Sequence, residues 1–169
     1  MKRVVITGMG GLSPIGHDWR QVEGSLRARR GAICYMPEWD DYVGLRTHLG
    51  APLPEFELPP HFNRKSTRSM GRVGVLATRS AELAIEDAGL IDDPVLRSGR
   101  TGVAYGSSSG SPPAISDFGK LMLTCNTDSI SANSYIRMMP HTTAVSVSVF
   151  FGIRGRLIPT STACTSGIL

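Results

Sequence analysis

The chain has 169 residues, of which 41% are hydrophobic and 19% charged, and its formal net charge is +4. These values are ordinary for a folded globular protein, and the length predicts one domain over residues 1–169. No apolar run reaches the roughly 18 to 20 residues of a membrane-spanning helix, and the residues after Met1 do not resemble a secretory signal. We therefore predict a cytoplasmic protein without a membrane span.

The first predicted element is a short β-branched run, Arg3 to Thr7, which is typical of a buried strand. The glycines that follow, from Gly8 to Ser13, resemble a dinucleotide-binding turn. However, Ser13 stands where that motif has its third glycine or alanine, and Pro14 follows at once. We therefore interpret these glycines as a tight turn between a strand and a helix.

A helix is predicted next, because Trp19, Val22 and Leu26 recur at helical spacing before Gly31. The opening of the chain is therefore that of an α/β protein. From Ala32 to Pro60 the sequence is rich in proline and mixed in polarity, which predicts an irregular surface excursion over the core and not a linker between domains.

Positive charge is concentrated between His61 and Ser80, where no acidic residue occurs. The basic residues of this segment are Arg64, Lys65, Arg68, Arg72 and Arg79. Such a cluster is typical either of a solvated helix face or of a surface that binds an acidic protein. Nucleic acid is not predicted, because aromatic residues make up only 7% of the chain and none interleaves with this cluster.

A stripe of mainly small residues predicts a closely packed helix in the following segment. Its members are Met70, Val73, Ala77, Ala81, Ala84 and Ala88. Gly89-Leu90 is typical of a glycine cap at a helix C-terminus, so we expect the helix to end there.

A strand over Gly102 to Tyr105 is predicted to lead into a polar loop, Gly106 to Pro113. This loop contains a literal GxSxG motif with Ser108 at its centre, which allows an α/β-hydrolase as a rival enzyme class. The nucleophile elbow of a hydrolase requires a helix immediately after the serine, and we expect Pro112-Pro113 to interrupt that helix. A flexible polar loop is therefore the preferred interpretation.

Two further segments close the chain. The alternation of valine and serine from Ala144 to Phe150 predicts a strand by its periodicity. Another strand is predicted over Leu157 to Thr162, leading into small residues around Cys164. With a helix expected just beyond it, a thiol there meets unpaired backbone amides and the positive end of the helix dipole. From the residues alone, a buried structural cysteine and a nucleophile are equally compatible with this pattern.

The three cysteines, Cys34, Cys125 and Cys164, are far apart in the sequence and have no CxxC or Cys/His spacing. Their number and spacing predict neither a disulfide framework nor a zinc site. We therefore expect free thiols and no bound metal.

The end of the chain resembles the active-site signature of the elongating β-ketoacyl-acyl carrier protein synthases. The matching residues are Gly152 to Arg156, the strand after them, and Thr162-Ala163-Cys164-Thr165-Ser166-Gly167. Further matches follow the family order along the chain: Arg3 to Gly10 (opening strand and turn), Leu12 to Gly16 (next turn) and Gly106 to Gly110 (glycine-rich loop beside the acyl pocket). The resemblance implies the amino-terminal half of a thiolase-like α/β fold, layered αβαβα. In this family Ala144 to Phe150 corresponds to a helix, which overrides the strand prediction.

The resemblance also implies a two-step reaction. Cys164 attacks an acyl thioester delivered by acyl carrier protein, and its main-chain amide helps to hold the oxyanion. Malonyl thioester then decarboxylates, and its carbanion takes the acyl group. The implied substrate-binding residues are Gly106, Ser109 and Gly110, and the implied carrier-binding residues are Arg64, Lys65 and Arg68. We further expect a homodimer or related heterodimer, and no cofactor beyond the phosphopantetheine of the carrier.

Two departures from the family pattern matter for function. The family supplies two histidines and a lysine from its carboxy-terminal half, and none of the histidines here lies in a matching motif, so we expect the chain alone not to condense substrates. Ser109 stands where fatty-acid-type synthases commonly have an apolar gating residue, which allows a polyene or polyketide pathway as well as fatty-acid elongation. A non-catalytic partner subunit of a condensing pair is an alternative, and the intact Cys164 argues against it.

Overall fold

The structure, a computed structural model, describes residues 3–167. The chain groups into two compact units, Gly10–Glu57 and a larger one that combines Met1–Met9 with Leu58–Leu169. The single-domain prediction for residues 1–169 stays a prediction.

The smaller unit contains the predicted helix, α1 (Trp19–Arg27), which begins after Asp18. The Asp18 carboxylate accepts a hydrogen bond from the Gln21 amide at 2.8 Å, which satisfies one of the unpaired N–H groups of the first turn. The segment that follows is mainly irregular, as predicted. It includes a short antiparallel pair, β1 (Cys34–Tyr35) with β2 (Leu49–Gly50).

The larger unit combines helices with two paired strands. The helices are α2 (Arg64–Thr67), α3 (Arg72–Asp87), α4 (Pro112–Thr124), α5 (Ala132–Met138) and α6 (Thr142–Phe151), and the strands are β3 (Val103–Gly106) and β4 (Leu157–Thr160). β3 and β4 are parallel, with Val103 opposite Leu157 and Gly106 opposite Thr160. Both predicted strands are confirmed, and their carboxyl ends lie at the same edge.

A small apolar core joins α3, α6 and the two strands. Its buried residues are Ala77, Val103, Ala144, Val147 and Phe151. Gly74 of α3 lies close to α6, since a Cβ atom at this position would be 3.2 Å from Ser146 Oγ. The small residues of α3 therefore serve the close helix packing that the sequence predicted.

The end of α3 has the predicted glycine cap. Gly89 adopts a left-handed conformation with φ of +69°. The amides of Gly89 and Leu90 donate to the carbonyls of Glu86 and Ile85, each at 2.9 Å. This pair of bonds satisfies two carbonyl groups that the helix leaves without partners.

The strand predicted from the valine–serine alternation is wrong, and the helix implied by the resemblance is confirmed as α6. Its buried residues, Thr143, Ala144, Val147 and Phe151, recur at helical spacing. Ser146 Oγ donates to the Thr142 carbonyl at 2.8 Å, so the hydroxyl is satisfied within the helix. Because α3 and both strands cover this segment, burial follows the helix surface and not the alternation in sequence.

The buried strand predicted over Arg3 to Thr7 is also wrong. These residues form no strand, and Val4 and Ile6 are 91% and 82% exposed. A β-branched run is stable as a strand when a neighbouring strand and an apolar cover are present, and the rest of residues 3–167 supplies neither.

The turn after this segment is tied to the end of α3. The Met9 amide donates to the Asp87 carboxylate at 2.8 Å. A Cβ atom at Gly8 would lie 2.3 Å from the Ala84 carbonyl oxygen and 2.5 Å from the Ala88 nitrogen. Gly8 is therefore required for a close approach of two backbones, which agrees with a structural role for these glycines.

No helix within residues 3–167 is long and apolar enough to cross a bilayer. The same residues hold no group of three or more His, Cys, Asp or Glu side chains that could bind a metal ion.

Candidate active site

Cys164 lies in a sharp turn just after β4. It occupies the middle of a single 3-10 turn, Ala163–Thr165, and its side chain is exposed. Ala163 has φ of +53°, a left-handed conformation that is uncommon for a residue with a side chain. The turn therefore holds the thiol at the surface, near the carboxyl edge of the β3–β4 pair. The helix predicted beyond Cys164 lies outside the described residues, which show a single 3-10 turn here.

Ser166 braces this turn from inside. It is only 4% exposed. Its hydroxyl donates to the Ala163 carbonyl at 2.6 Å and accepts a hydrogen bond from the Thr162 amide at 3.0 Å. Its own carbonyl accepts a hydrogen bond from Thr160 Oγ1 at 3.0 Å. Sequence reasoning missed this role, although a small polar residue beside the cysteine was the signal for it.

We expect Ser166→Ala to lower the free energy of unfolding by about 2 kcal/mol, because it removes two hydrogen bonds of a buried hydroxyl, those with the Ala163 carbonyl and the Thr162 amide. Hydrogen exchange at the Thr162 amide should become faster at the same time. The matched control is Ser108→Ala, since Ser108 is exposed and its replacement should change stability by less than about 0.5 kcal/mol. Equal effects of the two substitutions in urea unfolding would contradict the bracing role.

The main-chain amide of Cys164 is the relevant hydrogen-bond donor for stabilising an oxyanion at this site. The two amides after it are used within the turn: Thr165 donates to the Thr162 carbonyl at 3.3 Å, and Ser166 to the Ala163 carbonyl at 3.1 Å. By contrast, the Cys164 amide donates to no acceptor within residues 3–167. An unpaired N–H beside an exposed thiol can stabilise negative charge on a carbonyl oxygen that the sulfur attacks.

Gly106, a predicted substrate-binding residue, lies directly against the cysteine turn. A Cβ atom at this position would be 1.6 Å from the Ser166 carbonyl oxygen, which only glycine avoids. The next residue, Ser107, donates its amide to the Thr160 carbonyl at 3.1 Å. The glycine-rich loop therefore starts in contact with the turn that carries Cys164.

The other two predicted substrate-binding residues lie at the far end of the same loop. A Cβ atom at Gly110 would be 1.9 Å from the Met138 carbonyl oxygen, so this glycine packs against the end of α5. Ser109 is exposed, and its hydroxyl donates to the Gly110 carbonyl at 2.8 Å. The structure thus explains Gly110 by backbone packing, and the substrate-binding roles stay predictions.

The expectation that Pro112-Pro113 interrupts a helix is wrong, because α4 begins at Pro112. Proline is well tolerated in the first turn, where the N–H groups have no partner within the helix. The helix nevertheless does not follow Ser108 immediately, since Ser109 to Ser111 lie between them. The strand–serine–helix geometry of a hydrolase elbow is therefore absent at Ser108.

The predicted carrier-binding residues Arg64, Lys65 and Arg68 lie on and just after α2, and all three are exposed. Asn63 caps this short helix, because its side-chain oxygen accepts hydrogen bonds from the Lys65 amide at 2.9 Å and the Ser66 amide at 3.1 Å. Within residues 3–167 none of the three basic side chains forms an ion pair, so their charge is directed to solvent.

Arg79 does not belong to this exposed surface. Its guanidinium contacts the Glu82 carboxylate, which is 2% exposed and also contacts the ring of His61. A buried carboxylate requires such partners, because an unpaired charge in the interior is costly. The basic segment thus divides into an exposed group and one structural arginine.

The assembled site can be compared with known proteins. The chain matches the family model of the β-ketoacyl synthase N-terminal domain over residues 1–169. It belongs to the β-ketoacyl synthase family. A crystal structure of a β-ketoacyl synthase from Burkholderia phymatum is 52% identical, with a TM-score of 0.94 over 99% of this chain and 41% of that one.

Two curated relatives match nearly the whole chain. The 3-oxoacyl-[acyl-carrier-protein] synthase 1 of Buchnera aphidicola is 32% identical over 167 residues, which are 98% of this chain and 41% of the relative. Nodulation protein E of Rhizobium meliloti is 33% identical over 169 residues, 98% of this chain and 40% of the relative. The chain therefore spans about two fifths of the length of these proteins.

The predicted fold class is confirmed by these comparisons. The chain has the α/β structure of the N-terminal part of the thiolase-like synthases. In this synthase domain, the nucleophilic role of Cys164 and the roles of the glycine-rich loop and the basic helix stay predictions.

Proposed function

We propose that this chain is the N-terminal part of a β-ketoacyl-acyl carrier protein synthase whose acyl-accepting nucleophile is Cys164. The observation that carries the proposal is an exposed thiol, on a turn braced from inside, beside a Cys164 main-chain amide that has no acceptor within residues 3–167. Fatty-acid and polyketide synthesis are both compatible with the site. The intact cysteine disfavours the alternative role of a non-catalytic partner subunit.

In the first step, Cys164 Sγ forms a bond to the acyl carbon while the Cys164 amide holds the developing oxyanion. The carbon–sulfur bond to the carrier then breaks, and the carrier thiol leaves with the proton of the cysteine. Gly106 allows the glycine-rich loop to lie against the turn, which fixes the thiol relative to that loop. Oxyanion holes of this type are preorganised, and removing one donor typically costs about 10²–10³ in rate.

In the second step, malonyl-acyl carrier protein loses CO₂, its α-carbon bonds to the acyl carbon, and Cys164 is released. We propose that a carboxy-terminal half supplies the two histidines and the lysine for this step. Two of the four histidines already have carboxylate partners: His61 contacts the buried Glu82, and His48 Nδ1 lies 2.6 Å from the Asp40 carboxylate. We therefore expect the chain alone not to catalyse the condensation, which requires that half.

The exposed basic helix α2 is the proposed docking surface for the acyl carrier protein. The name of the Buchnera relative includes this carrier, and Arg64, Lys65 and Arg68 are exposed and unpaired within residues 3–167. Positive side chains of this kind guide and orient an acidic partner. We further propose a cytoplasmic homodimer or related heterodimer that has no metal or cofactor of its own.

Reversing charge on this helix tests the docking surface. We expect Lys65→Glu combined with Arg68→Glu to weaken carrier binding at least about tenfold, because like charges then face an acidic partner. The wild-type affinity should itself fall when salt is raised from about 0.1 M to about 1 M, which shortens the screening length from about 10 to about 3 Å. Arg100→Glu, at another exposed arginine, is the control. Carrier affinity that is unaffected by the double reversal would contradict docking at α2.

The proposed function is tested by incubating the protein with an acyl-carrier thioester and measuring its intact mass. The expected result is a mass increase equal to one acyl group, with one equivalent of free carrier thiol released. Adding malonyl-acyl carrier protein should yield a β-ketoacyl product only when the carboxy-terminal half is also present. Failure of any acyl adduct to form would exclude the proposed first step.

A further inference from the structure

Arg137 joins two parts of the molecule to which the proposed function assigns different tasks. Its guanidinium Nη2 donates to the main-chain carbonyl of Arg68 at 2.6 Å, and Arg68 is the C-terminal cap of α2. The carbonyl of Arg137 accepts a hydrogen bond from the Ser111 amide at 2.9 Å, at the end of the glycine-rich loop. One residue thus bonds to both the proposed docking helix and the loop.

The end of the loop is held on further sides. Gly110 packs against the Met138 carbonyl, with room for no side chain. Ser111 is 4% exposed, and its hydroxyl accepts a hydrogen bond from the Val73 amide in the first turn of α3 at 3.3 Å. A Cβ atom at Gly71 would lie 2.1 Å from Ser111 Oγ. The start of α3, the loop end and α5 therefore form one tightly packed junction.

The other end of the same loop reaches the nucleophile. Gly106 lies against the Ser166 carbonyl in the turn that carries Cys164. A continuous series of contacts therefore runs from α2 through the Arg137 side chain and backbone, and then through the loop, to the turn that carries Cys164. Acyl transfer needs reacting atoms held in a defined geometry, so the position of a docked carrier relative to the thiol depends on this series.

The Arg137 side chain is partly buried. Its Nε atom is buried and has no hydrogen-bond partner within residues 3–167. The side chain lines a cleft of about 240 Å³ together with Arg72 and Asp117, and it forms no ion pair with a described carboxylate. The bond to the Arg68 carbonyl is therefore the contact that fixes the guanidinium.

We propose that Arg137 is a positioning residue that holds the docking helix in register with the cysteine turn, so that a carrier docked on α2 presents its acyl thioester to Cys164. This inference rests on the proposed carrier docking at α2. Arg137 acts through Arg68 and the loop. A small acyl thioester without a carrier does not use α2, and its transfer to Cys164 should not depend on Arg137.

The test compares wild-type protein with Arg137→Met, which removes the donor and keeps much of the side-chain length. Acylation of Cys164 is followed by intact mass at increasing concentrations of acyl-carrier thioester, and separately with an acyl-pantetheine thioester. We expect Arg137→Met to lower the maximum rate of acylation by the carrier thioester about tenfold, because a docked carrier then presents its thioester out of register, with little change in the half-saturating carrier concentration. Acylation by acyl-pantetheine should stay within about twofold of wild type, and Arg137→Lys should restore part of the maximum rate.

Arg100→Met is the charge-matched control, since Arg100 is exposed and forms no ion pair within residues 3–167. If Arg137→Met and Arg100→Met lower the maximum rate with the carrier thioester equally, Arg137 contributes only its charge and the inference is wrong. Equal losses with carrier and pantetheine thioesters would show a general structural role and would also overturn it. If wild-type protein neither binds the carrier nor accepts its acyl group, the proposed function itself fails, and the inference fails with it.

Discussion

Cys164→Ala should abolish acyl transfer from the carrier thioester, lowering the rate by about 10³-fold or more, because no other group replaces a deleted nucleophile. The adduct seen by intact mass with wild-type protein should be missing. Stability should change little, because Cys164 is exposed and its side chain forms no hydrogen bond within the described residues.

Cys125→Ala and Cys34→Ala are matched controls for this experiment. All three cysteines are exposed, so exposure alone does not distinguish them. Cys125 caps the end of α4 and Cys34 lies in β1, whereas only Cys164 follows β4 in the braced turn. Both control proteins should accept an acyl group at the wild-type rate. An acyl adduct that persists in Cys164→Ala and disappears in Cys125→Ala would show that Cys125, at the C-terminal end of α4, is the nucleophile, and would refute the proposal.

Gly106→Ala should disrupt the site without changing any reactive group. The new Cβ would lie 1.6 Å from the Ser166 carbonyl oxygen, 2.3 Å from its carbon and 3.0 Å from the Gly167 nitrogen. These are backbone atoms, which cannot move aside as a flexible side chain can. We therefore expect a loss of about 3 kcal/mol or more in the free energy of unfolding, and a loss of Cys164 acylation in the protein that remains folded.

Gly119→Ala provides the contrasting control, because Gly119 lies within α4 and an added Cβ meets no atom within 4 Å. This substitution should stabilise the protein by about 0.5–1 kcal/mol, since alanine favours a helix more than glycine does. Urea unfolding and the acylation assay measure both variants. If Gly106→Ala were as stable and as active as wild type, the close contact between the loop and the cysteine turn would be incorrect.

Local chemistry made much of the fold predictable. The spacing of Trp19, Val22 and Leu26 identified α1, and Gly89-Leu90 marked the end of α3. Both signals depend only on residues close together in the sequence, because helix periodicity and a left-handed cap are local features. The β3 and β4 strands were also recognised from short apolar runs that end in small residues.

Where the prediction depended on neighbours distant in sequence, it was wrong. Arg3 to Thr7 has the composition of a strand, but no strand pairs with it within the described part of the chain. The alternation from Ala144 to Phe150 has the period of a strand, but α3, β3 and β4 bury the segment as a helix. In both cases the conformation follows from what covers the segment.

The sequence by itself determined the family, the position of Cys164 directly after a strand and the basic segment, since each is a matter of residue type and order. The tertiary structure alone decided which residues meet. Ser166 braces the cysteine turn, Gly106 is needed because a backbone lies against it, and Arg137 bonds to a helix far away in sequence. Contacts of this kind form only where folding brings distant segments of the chain together, because hydrogen bonds and steric exclusion act only between atoms that are in contact.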